Sequence, residues 1–348
     1  MSSTDTDPTS PPFSALLAFA GVHDLRPAEL GAAIQRLDPN ACITFWGGAG
    51  EPVQGARGIL LSVNGLDMAI IHQRFPVPWA FDGGNQPNFC WHDAADELAH
   101  HKSHVFVAEA GRGKLSQSIA RAGVVMLVAE AIASLNPIMG VRWEAARNLI
   151  RADHFSKQAA EFRTRAIVPV TLWIRLLSAY QPPAAAGVIG TFGLHSFGSP
   201  NVEIHARRLD FNETLAVALA FAQVGLESGG PTSDEAVTTI ENLATFSIEQ
   251  LANGLFDIGP VAKLTELESA DAHEGWRAAA VPSVQPFRTA EDRVSAEDVP
   301  YNTLVLQVVG GIRNAFYKKP KDTWGAARLE TTRQLDGFFA KMEARRAK

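Results

Sequence analysis

Two cysteines in 348 residues are too few for a disulfide framework. Cys42 and Cys90 form no CxxC pair and join no histidine cluster, which argues against the common structural zinc sites. Each lies in an apolar or aromatic stretch, so both are expected to be buried, reduced thiols. Other signatures are missing as well. The chain has no Walker A loop, no complete GxGxxG, no HExxH and no GxSxG elbow. The motif-bearing routes to nucleotide hydrolysis, dinucleotide binding, zinc proteolysis and serine hydrolysis are therefore absent. No helix-turn-helix, zinc finger or RNP pattern occurs, and the net charge is −6, so neither nucleic acid nor anionic lipid is an expected partner. Residues 1–12 lack the basic start and apolar core of a secretory signal and read as a disordered tail. A cytoplasmic location follows as the expectation.

What is present is an ordinary globular balance, with 46% hydrophobic and 20% charged residues. A chain of this length can bury a large core without metals or disulfides. The most apolar run, residues 122–141, is interrupted by Glu130 and by Asn136-Pro137. It is expected to be a buried helix and not a membrane span.

The periodicity predicts a strand over 13–20, a helix over 27–37 and a short strand over 41–45. Strands over 57–63 and 68–74 flank Asn64-Gly65, a hairpin turn whose residues tolerate positive φ. A helix over 93–103, a strand over 104–110 and a long helix over 115–135 follow. This order predicts an α+β fold built on a ferredoxin-like βαββαβ unit over 13–150. A second α/β unit is expected over 151–270, with a strand over 168–177, a hairpin over 188–205 and a helix over 212–227. Residues 271–300 read as a connector. Residues 301–348 read as a strand and a basic amphipathic helix with Leu335, Phe338, Phe339 and Met342 on one face. From 313 to 348, ten Lys/Arg face four Asp/Glu, which leaves −12 for the rest of the chain.

Candidate chemistry is sparse. His100, His101 and His104 cluster, but the expected strand start at His104 breaks the helical spacing a metal pair needs, so no metal is expected. Asp93, Asp96 and Glu97 suit a helix N-terminus, and histidines suit its end. Gly111-Arg112-Gly113-Lys114 falls between a strand and a helix, where backbone amides with Arg112 and Lys114 can hold an anion. Trp143 and Arg147, with Arg142 and Glu144, can form an ion pair or line a pocket. His195 precedes Ser196, although adjacency alone does not make a catalytic pair. The candidate ligand-binding residues are thus Arg112, Lys114, His101, His104, Trp143, Arg147 and His195. No cofactor is indicated and no catalytic residue can be assigned.

Three segments carry a resemblance. They are Pro76-Val77-Pro78-Trp79 with Trp91 and the run from Leu98 to Val107, then Met139-Gly140-Val141-Arg142-Trp143, then the run from Thr191 to Ile204. Over residues 13–226 the chain resembles a bacterial family of unknown function, DUF4261. The resemblance implies an α/β fold in a bacterial cytoplasm and brings no activity or catalytic residues.

Two functional classes remain. One is a non-catalytic protein-interaction protein, such as a toxin-immunity protein or a secretion-system accessory factor, binding through the C-terminal helix or the acidic body. The other is an enzyme or small-anion-binding protein with a site near His101, His104, His195 and the Gly111–Lys114 turn.

Overall fold

The computed structural model describes residues 9–22, 24–46, 56–77, 91, 93–111, 113–114, 117–179, 187–228, 236–240, 244–257 and 259–267. The expected connector, the strand over 301–310 and the C-terminal helix with Leu335, Phe338, Phe339 and Met342 lie outside the described residues, as do Cys90 and Arg112. The chain divides into two units at Arg175/Leu176. The boundary expected at residue 150 is too early, because the segment from 151 to 175 packs with the first unit.

The first unit begins with β1 (Thr9–Ser10), β2 (Ser14–Phe19), α1 (Pro27–Leu37), β3 (Ile43–Phe45), β4 (Ala56–Val63) and β5 (Leu66–Gln73). It continues through α2 (Ala94–Leu98), β6 (Ser103–Glu109), β7 (Gly113–Lys114), α3 (Ser118–Leu135), β8 (Gly140–Trp143), β9 (Asn148–Arg151), α4 (Ala152–Arg165) and α5 (Val170–Trp173). Seven strands form one sheet in the order β3-β4-β5-β6-β2-β8-β9, and every neighbouring pair is antiparallel. Asn64 and Gly65 turn the β4–β5 hairpin with φ of 53° and 81°, as their sequence predicts.

Strand alternation divides the sheet into two faces. Ala15, Leu17, Ile59, Leu61, Ile70, Val105, Val107 and Val141 are buried on the face that α3 covers. α3 packs between α1 and α4 as well as on the sheet, so it has no wet stripe, and ten of its residues are buried. Each fully buried Val, Leu or Ile contributes roughly 1.5–3 kcal/mol. Among the described residues α3 alone is long and apolar enough to cross a membrane, yet more than half of it is buried inside the protein. The opposite sheet face carries a smaller cluster of Leu16, Ala18, Val77, Trp91, Ala94, Leu98 and Leu149.

The fold is mixed α+β. Its sheet is wider than the four strands of a ferredoxin-like unit, and the expected helix over 93–103 is only the five residues of α2. The His101 N–H and imidazole both turn back onto the Leu98 carbonyl, and the Lys102 N–H donates to the Phe19 carbonyl, which starts the strand instead. The crossover helix is α3, which joins β6 and β8 on either side of β2. Part of the expected N-terminal tail is ordered, because Thr9 and Ser10 pair with Lys114 and Gly113. The strand expected over 168–177 is split into α5 and a strand that starts at Arg175. Cys42 is exposed and not buried.

The second unit has a six-stranded sheet. It comprises β10 (Arg175–Ser178), β11 (Gly187–Phe192), β12 (Asn201–Ala206), β13 (Ala236–Ile240), β14 (Ala244–Leu251) and β15 (Val261–Glu266), in the order β10-β11-β12-β15-β14-β13. Only β12 and β15 run parallel among the registered pairs. The alanine-rich α6 (Phe211–Ser228) packs on β11 and β12.

Candidate functional site

His101 and His104 come together, with ring centroids 6.3 Å apart, but both His101 nitrogens and His104 Nδ1 are committed to the backbone. The Val77 N–H donates to His101 Nε2 at 2.7 Å, so Nδ1 carries the proton and donates to the Leu98 carbonyl at 2.6 Å. That tautomer has no lone pair left for a metal. His104 Nδ1 contacts the Phe75 carbonyl at 2.9 Å. Burial lowers the His104 pKa, the Phe75 bond raises it and the nearby His101 lowers it, for a net decrease. Both histidines hold the exit of β5 against the start of β6. Among the described residues no group of three or more His, Cys, Asp or Glu is placed to hold a metal.

The Gly111–Lys114 turn does not open a helix, since α3 starts only at Ser118 and Gly113-Lys114 is strand β7. Its neighbour is Arg121 on α3, where a side chain on Gly113 would collide with the guanidinium. Arg121 grips Glu109 with two parallel bonds, Nε to Oε1 and Nη2 to Oε2, each 2.6 Å. It also donates to the carbonyls of Lys114 and Pro11 and covers the Phe13 ring at 5.2 Å. Glu109 accepts the Phe13 N–H at 3.2 Å. The arginine beside this turn is thus part of an internal lock that ties Pro11 and Phe13 to β6 and α3, while the nominated Arg112 lies outside the described residues.

Trp143 and Arg147 lie on either side of the β8–β9 turn, a single 3-10 turn at Glu144–Ala146. Trp143 is fully buried, stacks on Trp173 at 6.1 Å and keeps an indole N–H with no hydrogen bond. Asn148, which opens β9, donates from Nδ2 to the carbonyls of Thr171, Leu172 and Ile174 at 2.7, 3.2 and 3.3 Å. This clamp sets Arg175 beside the turn. Arg175 is buried, and burial followed by the charges of Arg142 and Arg147 lowers its pKa. Burial raises the Glu144 pKa despite the opposing pull of Arg142 and Arg147.

His195 belongs to the second unit, in a 3-10 turn at Leu194–Phe197, where it is exposed and lies on Phe192 with centroids 5.4 Å apart. Ser196 is buried and its hydroxyl makes no hydrogen bond, so it is not an exposed nucleophile. The second unit holds its own carboxylates tightly. Burial raises the Glu266 pKa, but the N–H groups of Arg208, Arg207 and Leu209 outweigh it, and the pKa falls below the ordinary value. Glu203 is lowered in the same way by His205 and by the N–H groups of Leu255 and Phe256. The sequence-nominated residues therefore form separate groups: His101 with His104, Lys114 beside Arg121, and Trp143 with Arg147.

Two features escaped sequence reading. Arg175 looks like one polar residue at the head of an apolar strand, and only the Asn148 clamp brings it to Arg147. The other is an apolar strip on the outer sheet face. The Trp46 N–H donates to the Leu60 carbonyl, and Leu60 pairs with Ala69. Trp46, Leu60 and Ile71 are 55%, 52% and 38% exposed, with Phe75 at 41% where β5 ends. Alternation along β4 and β5 does contain this signal, since an outward Leu60 and Ile71 break the apolar-in, polar-out rule. No protein-family model, curated protein or solved structure matches the chain.

Proposed function

We propose that this chain is a non-catalytic protein-interaction protein of the cytoplasm, in the class of toxin-immunity or secretion-system accessory proteins. The exposed apolar strip of Trp46, Leu60 and Ile71 carries this reading. Large apolar side chains that neighbour one another on a sheet face mark a contact surface more often than isolated ones do. The partner is a protein with an apolar patch and a basic rim, because residues 1–312 carry a net charge of −12 that steers cationic surfaces toward this body. The resemblance to DUF4261 assigns no activity and adds only a bacterial cytoplasmic setting.

Affinity purification from the native host, followed by size-exclusion chromatography, tests this. A stoichiometric protein partner is expected, lost from the double variant Leu60→Asp, Ile71→Asp while the variant's thermal unfolding stays close to wild type. Equal retention by wild type and variant would overturn the reading, as would a wild-type chain that elutes as a self-dimer broken by the same substitutions.

A further inference from the structure

The seven-stranded sheet of the first unit ends differently at its two edges. β9 is closed in: Asn148, Leu149 and Ile150 are buried, and α2 and α5 pack on the strand. β3, at the other edge, has no strand beyond it among the described residues. The hydrogen bonds it makes show which of its backbone groups face outward. The Asn64 N–H donates to the Cys42 carbonyl and the Trp46 N–H to the Leu60 carbonyl, so Cys42 and Trp46 turn their backbone toward β4. Hydrogen-bonded and non-hydrogen-bonded pairs alternate along an antiparallel ladder. Thr44, opposite Ser62, therefore faces β4 as well. Ile43 and Phe45, opposite Val63 and Leu61, turn their N–H and C=O groups to the open side.

Open edges are normally blunted by Lys, Pro or an inward charge. Residues 41–46, Ala-Cys-Ile-Thr-Phe-Trp, carry none of these. The edge is also firmly seated, since the Phe45 ring lies against Gly31 of α1, where an added Cβ would come within 3.2 Å of it. The outward groups are symmetric about Thr44. A second copy of β3, turned about a two-fold axis at Thr44, sets Ile43 opposite Phe45 of that copy and Phe45 opposite its Ile43. Each outward N–H then meets an outward carbonyl, reciprocally. Thr44 meets its own mate across the axis in a non-hydrogen-bonded pair, a favourable threonine pairing, and no like charges are opposed. The net charge of −6 is carried outside this edge, and charges more than about 8 Å away are largely screened at physiological ionic strength.

We propose that β3 is a self-association edge, through which two copies of this chain pair into one continuous sheet. A two-fold axis of this kind runs normal to the sheet and leaves the same face of both copies on one side. Trp46, Leu60 and Ile71 of the two copies then join into one apolar band across the shared sheet. The use of that band rests on the contact-surface reading above, whereas the pairing itself rests on the β3 edge alone.

The test is equilibrium ultracentrifugation of the full chain over a range of concentrations, where a monomer–dimer equilibrium is expected. Thr44 is exposed, so Thr44→Lys keeps the fold while setting two like charges on strands about 4.5 Å apart at the axis. It should raise the dimer dissociation constant by about tenfold or more. The register has its own readout. In a Cys42→Ser background, Thr44→Cys brings two thiols within disulfide reach, and mild oxidation should give a covalent dimer. Cys42 of the wild type lies about 14 Å from its symmetry mate and should give none. The double variant Leu60→Asp, Ile71→Asp should keep the dimer, which separates this pairing from the loss of a protein partner. A wild-type chain that stays monomeric at every concentration would overturn the proposal, and so would a dimer that Thr44→Lys leaves unchanged or a Thr44→Cys protein that forms no covalent dimer.

Discussion

Arg121 and Arg175 are equally buried, with 4% and 5% of their surfaces exposed, and they meet opposite surroundings. Arg121 has a carboxylate in fork geometry, two carbonyls and an aromatic face. Arg175 has two other arginines acting on it as like charges. Burying a guanidinium costs several kcal/mol unless geometry and partners offset it. At Arg121 the offset is internal, so that region is closed. Beside the β8–β9 turn, burial first and then the like charges of Arg142 and Arg147 lower the Arg175 pKa. What separates the two arginines is the fork that Arg121 makes with Glu109 and the like charges that crowd Arg175.

The largest effect that would sharpen this contrast is at the closed arginine. Glu109→Gln leaves Arg121 buried with its charge uncompensated, and we expect a loss of about 3–5 kcal/mol in chemical denaturation. Arg175→Met should cost less than half as much as Arg121→Met in the same measurement. Equal losses would erase the distinction between the two regions.

A smaller effect is expected at Glu144. Its folded pKa is raised, so its contribution to stability is present in full below the unfolded value of about 4.5 and is lost as pH rises through the folded value. At neutral pH the ionised side chain is therefore a burden. Glu144→Gln should stabilise by up to about 1 kcal/mol at pH 7 and by nothing at pH 4. A destabilised variant at pH 7 would show that Arg142 and Arg147 already satisfy this carboxylate.

The smallest effect concerns His104, whose folded pKa is lowered. Its contribution is present above the unfolded value near 6.5 and is lost as pH falls from there through the folded value. Denaturation midpoints of His104→Gln and wild type should therefore converge as pH is lowered from 7 to 5. By contrast, Glu203 and Glu266 have depressed folded values, so they keep their contribution down to about pH 4.5 and lose it below. Tryptophan fluorescence of the first unit, which holds Trp143 and Trp173, follows the His104 window directly.

Much of the first unit was legible residue by residue. Asn64-Gly65 fixes a hairpin because its backbone preference is local, and α3 declares itself by apolarity on every side. The 93–103 segment misled, because its helical pattern is ended by contacts to Phe19 and Leu98 that no periodicity encodes. The split of 168–177 into α5 and β10 has the same origin. Asn148, twenty-three to twenty-six residues away, draws the carbonyls of Thr171, Leu172 and Ile174 into one direction. Of the nominated site residues, Trp143 and Arg147 stayed near one another because only the three-residue turn Glu144–Ala146 separates them. Lys114 joined the Arg121 lock through a helix that starts beyond it.

The sequence by itself determined the α+β class, the central apolar helix, the hairpin register and the absence of the familiar catalytic motifs. These rest on interactions between residues close along the chain, or on composition. Tertiary structure alone decided which arginine is neutralised and which is crowded, and which apolar side chains of the sheet face outward uncovered. Charge compensation and burial depend on what arrives from distant segments, and a guanidinium carries the same letter whether it meets Glu109 or another arginine.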